Sequence, residues 1–98
     1  MMTRRERIRD LLVRALDCRV EALLWNGELA LALDQARAAV ELEPFRESGY
    51  RRLMQVFVKQ GDRAEAIRVY QQCRQRLADE LGVSPSAETE SLKRALLA

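Results

Sequence analysis

Gly27 and Gly61 stand 34 residues apart, and the residues around them recur at the same interval, which restricts the chain to folds that stack one helical unit on another. Ala32 and Ala66 each follow their glycine by five residues, and Ala39 is matched by Cys73. A glycine of this kind supplies the left-handed backbone that ends a helix. A small residue early in the next helix lets the two arms of a hairpin approach closely. Two such signals in phase predict two consecutive helical hairpins of the same internal geometry.

Local punctuation places the helices. Thr3 and Glu6 form a Thr-x-x-Glu capping box that starts a first helix near Arg4, and Asn26-Gly27 stops it after Trp25. A second helix is expected over about Glu28 to Leu42, because the ring of Pro44 disfavours a helical Glu43. A third runs from about Phe45 to Gln60. Asp62, with Glu65 three residues on, caps a fourth that ends at Gly82 and should turn Ala66, Ile67, Tyr70, Cys73, Leu77 and Leu81 inward. Ser84-Pro85 is the expected start of a last helix presenting Leu92, Ala95 and Leu96. No segment alternates like a strand.

In the second unit, Tyr50-x-x-Leu53-Met54-x-x-Phe57 followed by Ala66-x-x-x-Tyr70 resembles the tetratricopeptide pattern of bulky and small positions. The first unit is a weaker copy. Leu16 and Leu23 replace its aromatics, Ala36 stands where the second unit has Tyr70, and Arg19 stands where it has Leu53. The expected fold is all-α: a tetratricopeptide-like right-handed array of about five antiparallel helices, two hairpins plus a C-terminal capping helix. It forms a single domain over residues 1–98, with repeat one at about 13–46, repeat two at about 47–80 and the last helix at about 85–97. Leu53, Phe57, Ala66 and Tyr70 should be buried.

The 98 residues, 48% of them hydrophobic, suffice for one modest core. A net charge of +2 exerts no strong pull on nucleic acid or anionic membrane. There is no histidine, no glycine-rich phosphate loop and no cysteine paired with a base, so neither catalysis nor a cofactor or metal site is expected. Cys18 and Cys73 lack CxxC spacing and read as two buried free thiols. The apolar runs fall far short of the roughly 20 residues that span a bilayer. Arginines at 4, 5, 7, 9 and 14 also interrupt any signal peptide, so a cytoplasmic location is expected.

Several motifs occur in a distinctive order: Pro44-Phe45-Arg46-Glu47, then Leu53-Met54, then Gly61-Asp62-Arg63-Ala64-Glu65-Ala66, Tyr70-Gln71-Gln72-Cys73-Arg74, and Glu80-Leu81-Gly82-Val83-Ser84-Pro85 ahead of Glu88-Thr89. In these the chain resembles the bacterial transcriptional activation domain of SARP-type regulators, closely from about Leu42 to Leu97 and more loosely through the first helix. The resemblance implies a regulatory module that follows a winged-helix DNA-binding domain and helps activate transcription by contacting other regulator domains or RNA polymerase. That DNA-binding domain, and the helices that usually precede the first repeat, are expected to lie outside this chain. A stand-alone tetratricopeptide-type adaptor is the alternative. A helix-turn-helix around Gly61, with Arg63, Arg68, Arg74 and Arg76 toward phosphates, is disfavoured by the interleaved Glu65, Asp79 and Glu80.

In a tetratricopeptide array the first helix of each hairpin lines the concave face. The repeat phase therefore puts Arg14, Asp17, Glu21 and Trp25 beside Ser48, Arg51, Gln55 and Lys59, the candidate contacts for a protein partner. On the first helix Ile8, Leu11, Leu12, Ala15, Leu16, Ala22 and Leu23 read as the inward side. Val13, Val20 and Leu24 extend the apolar arc beyond it and are the candidate self-association residues, which predicts burial by another copy of the chain, as a homo-oligomer, or by upstream helices of the full protein, unless the last helix folds back to cover them. No direct contact of this chain with nucleic acid or membrane is expected.

Overall fold

A computed structural model describes residues 1–97 as five α-helices: α1 (Arg4–Trp25), α2 (Leu29–Leu42), α3 (Glu47–Lys59), α4 (Arg63–Leu81) and α5 (Ala87–Leu97). No strand occurs among the described residues. The Thr3 hydroxyl accepts the Glu6 N–H, and the Glu6 carboxylate accepts the Thr3 N–H, both at 3.1 Å. At α4 the Asp62 carboxylate accepts the Glu65 N–H at 3.2 Å, and Gly82 closes the helix at φ +65.

The two hairpin turns are copies of each other. Gly27 and Gly61 have φ of +75 and +79. The Gly27 N–H donates to Leu24 O and that of Glu28 to Leu23 O; 34 residues later Gly61 donates to Val58 O and Asp62 to Phe57 O. Ala32 and Ala66, equivalent in the repeat, are both fully buried, as are Ala36, Cys73 and, within one per cent, Ala39. Each hairpin therefore closes over small side chains, as the spacing predicts.

Successive helices pack as antiparallel neighbours, and α1 also packs on α3, whereas α2 and α4 are held apart by a shallow gap lined by Arg37, Val40, Phe57 and Val69. First helices stacked on first helices form one layer and second helices splay behind them, as in a tetratricopeptide array. The core that results runs from Val20 and Leu23 through Tyr50, Leu53, Met54, Val56 and Phe57 to Val69, Tyr70, Cys73 and Leu77.

Several expectations are corrected. α3 begins at Glu47 rather than near Phe45, because Pro44 and Phe45 form a turn whose Pro44 carbonyl accepts the Tyr50 hydroxyl at 2.7 Å. α5 is capped by Ser86, not Ser84: the Ser86 hydroxyl accepts the Thr89 N–H and its carbonyl accepts that of Glu90. Ile67 and Leu81 are exposed, since no helix packs on that side of α4. The inward face of α1 is displaced from the expected one, of which only Leu23 is buried and Leu16 half-buried. Val13, Val20 and Leu23 are buried, while Ile8, Leu11, Leu12, Ala15 and Ala22 face solvent. Both sides of α1 are apolar, and α2 and α3 pack on the β-branched one. Val13 and Val20 thus belong to the chain's own core and offer nothing to a second copy. Cys73 is buried as expected, but Cys18 is exposed.

Candidate functional site

The open face is built by α1 and α3, with α5 laid along one side. Four of the eight residues expected on it, Glu21, Trp25, Gln55 and Lys59, line one groove of about 680 Å³. Leu24, Val58 and Leu96 complete its walls. They give it an apolar floor with an acid and a base at the rim. Trp25 is 91% exposed, the most exposed large apolar side chain after Met1 among the described residues. An indole in that position retains almost all its apolar area and its N–H for a partner. Leu24, expected to join in self-association, instead forms part of this wall and packs against the core.

Of the groove residues, Glu21 pairs with Arg52 at 2.8 Å and Gln55 accepts from the same guanidinium at 3.4 Å, and the other four candidates are likewise engaged within the chain. The Ser48 hydroxyl donates to Asp17 at 2.7 Å, and the Arg46 guanidinium bridges Ser48 at 3.2 Å and Asp10 at 2.7 Å. Arg14 pairs with Asp10 one turn earlier at 3.0 Å. Arg51 turns toward α5, donating to the Thr89 hydroxyl at 2.9 Å and standing 3.6 Å from Glu88, with only 15% of its side chain exposed. These contacts brace the first-helix layer. The groove therefore occupies only the end of the face nearest Trp25.

α5 is fastened by a polar latch. The Glu47 carboxylate accepts the Ser86 N–H at 2.9 Å and the Thr89 hydroxyl at 2.7 Å, and Thr89 is fully buried between Glu47 and Arg51. Burial alone would raise the pKa of Glu47. The hydrogen bonds from Ser86 and Thr89, helped by the Arg51 charge, outweigh it and hold the carboxyl below its ordinary value. Further along, the Tyr70 hydroxyl donates to Glu90, and the Lys93 ammonium lies 5.0 Å over the Tyr70 ring. Burial, then the Glu90 contact, pushes the Tyr70 phenol up.

Residues at which sequence reasoning recognised a family pattern meet here: Arg46 and Glu47 from one motif, Tyr70 from another, and Thr89 from the last. Their shared task in this fold is to dock α5. Val58 and Leu96 were missed as groove residues. The repeat carried a signal for Val58, the counterpart of Leu24, but none for Leu96, which lies outside both repeats.

Among the described residues no group of His, Cys, Asp or Glu could hold a metal ion, and no helix is long and apolar enough to cross a membrane. Burial, with the Glu47 charge second, pushes the Cys73 thiol up to about 11, so it stays protonated at neutral pH. Of the arginines that would serve a helix-turn-helix, Arg68 is paired with Glu65 at 2.8 Å and Arg76 donates to the Tyr50 hydroxyl at 3.3 Å.

The bacterial transcriptional activator domain family matches residues 1–97. The chain is 34% identical over 95 residues to the regulatory protein AfsR of Streptomyces coelicolor, covering 97% of this chain and 10% of that protein. It is 32% identical over 93 residues to the regulatory protein AfsR of Streptomyces griseus, covering 95% of this chain and again 10% of that protein. The chain thus spans about a tenth of the length of these curated relatives. No solved structure matches it.

Proposed function

The chain belongs to the bacterial transcriptional activator domain family of SARP-type regulators, and on that premise we propose that it is the protein-contact module of such a regulator, engaging its partner through the groove between α1 and α3. The observation that carries this reading is Trp25. An almost fully exposed indole, beside an apolar wall of Leu24, Val58 and Leu96 and between Glu21 and Lys59, has the composition of an interface anchor. Its partner is another domain of the regulator or a helix of RNA polymerase, apolar along one side and carrying charges of both signs at the edges. The module acts by contact rather than by catalysis, and DNA is left to other domains. In favour of that division, α4 interleaves its arginines with Glu65, Asp79 and Glu80, which repel phosphates.

A photocrosslinking amino acid at Gln55, inside the groove, tests the proposal against one at Gln71 on the exposed side of α4. With purified bacterial RNA polymerase or the regulator's own remaining domains as bait, adducts should form from position 55 and disappear in Trp25→Ala. Adducts from position 71 alone, or none from 55 with either bait, would remove the groove as the contact site.

A further inference from the structure

On the premise that the groove is the contact surface, we propose that it is specific for an acidic amphipathic helix. An apolar side chain of that helix sits on Leu24, Val58 and Leu96, and a glutamate or aspartate one turn away reaches Gln55 and Lys59. The groove is built from one face used twice. Glu21, Leu24 and Trp25 of α1 are the 34-residue counterparts of Gln55, Val58 and Lys59 of α3. The two copies share their aliphatic position and differ in charge, and the difference decides what can lie there.

The acid of the first copy is already neutralised. Glu21 is paired with Arg52 at 2.8 Å, so a lysine or arginine of a partner meets a carboxylate that holds a cation. Arg51, on the same helix, is matched by Glu88 at 3.6 Å. The helix ends offer a cation little more, because the carbonyls of Leu23, Leu24, Phe57 and Val58 accept N–H groups from the two hairpin turns.

Lys59 is different. It is exposed, and its ammonium has neither an ion pair nor a hydrogen bond among the described residues, whereas Lys93, the other lysine, lies over the Tyr70 ring. One turn earlier on the same side of α3, the Gln55 side chain accepts from Arg52 through Oε1, which leaves its NH2 group as a donor. Two donors without acceptors, one of them charged, therefore flank the apolar floor. A partner that covers Leu24, Val58 and Leu96 must come against Lys59, and taking an unpaired ammonium out of water is costly unless an acceptor replaces the water. A carboxylate does so through a charge-assisted bond. A helix presents an apolar side chain and an acid one turn apart, about 5.4 Å, on a single face. A nucleic-acid backbone would instead need a row of cations, and the groove has one unpaired.

The test measures binding of the full chain to purified bacterial RNA polymerase and, separately, to the regulator's remaining domains. Lys59→Glu should weaken binding about tenfold or more while circular dichroism stays unchanged, because Lys59 is exposed. Lys59→Arg, which keeps the charge, should bind within about threefold of the original. A zero-length carbodiimide condenses an amine with a carboxylate in contact. It should join Lys59 to a glutamate or aspartate of the bait, and Lys59→Arg should form no such bond. Binding that falls in Trp25→Ala but not in Lys59→Glu would overturn the acid preference and leave the groove in place. Carbodiimide products confined to Lys93 or the N-terminal amine would do the same, as would quenching of Trp25 by a single-stranded oligonucleotide without any bond from Lys59 to a bait. Binding to both baits that is indifferent to Trp25→Ala would instead remove the groove, and its specificity with it.

Discussion

Ser48 donates its hydroxyl to Asp17 at 2.7 Å, tying the first turn of α3 to the middle of α1 across the seam between the two repeats. The second Asp17 oxygen, Oδ1, is buried without a protein hydrogen-bond partner, so Ser48 is the group that makes burying this carboxylate tolerable. Ser48→Ala should cost about 1–3 kcal/mol, read from urea unfolding. The double change Ser48→Ala with Asp17→Asn should cost less than the two single changes summed, because they share one contact.

The Glu47 latch makes the docking of α5 dependent on pH. Its carboxyl is held below the ordinary 4.5, so its stabilising contribution is present above that value and is lost as pH falls through the lower folded-state pKa. Thermal unfolding followed between pH 6 and pH 3 should show a decline that Glu47→Gln flattens. Equal slopes in the two proteins would mean that other carboxylates carry the effect.

Ala66 and Ala32 occupy equivalent, fully buried positions at the crossings of the two hairpins. Enlarging either to leucine should destabilise by about 1–3 kcal/mol, since neither crossing has room for three more carbons. Ala22→Leu, on the exposed side of α1, should change stability by less than about 0.5 kcal/mol. A melting temperature raised by Ala66→Leu would show that the hairpins cross elsewhere.

The two thiols should react very differently. Cys18 is exposed, whereas Cys73 is buried with its pKa pushed up to about 11. A disulfide reagent at pH 8 should titrate one thiol at once and the second only at the rate of unfolding. Prompt reaction of both would place Cys73 nearer the surface than the core described here.

Trp25 is the single tryptophan, so its emission reports on the groove without interference from the core. It should emit as a solvated indole, be quenched freely by acrylamide, and shift to the blue when the groove is occupied. Trp25→Ala should alter stability by less than about 0.5 kcal/mol while abolishing crosslinking from Gln55.

What the sequence revealed about this fold depended on distance along the chain. Thr3–Glu6, Asp62–Glu65 and the glycines at 27, 61 and 82 act within a turn of themselves, and they delimit helices where expected. The face of α1 was misread because apolar residues line both of its sides, and periodicity alone does not say which side meets α2 and α3. Of the concave-face candidates picked by repeat phase, Glu21, Trp25, Gln55 and Lys59 line one groove. Asp17 and Arg51 find partners 31 and 38 residues away, and nothing local to either announces Ser48 or Thr89. The start of α5 shifted from Ser84 to Ser86 for the same reason: the carboxylate that selects it belongs to α3.

Leu96 stands in the groove wall, yet the eleven-residue helix that bears it is moored to the rest of the molecule through Glu47 and Thr89. A ligand whose contact with Leu96 requires α5 to be docked would tighten that mooring, and acid that loosens the mooring would weaken such a ligand by the same free energy. Proton uptake at one end of the helix and recognition at the other become reciprocal readings of a single equilibrium.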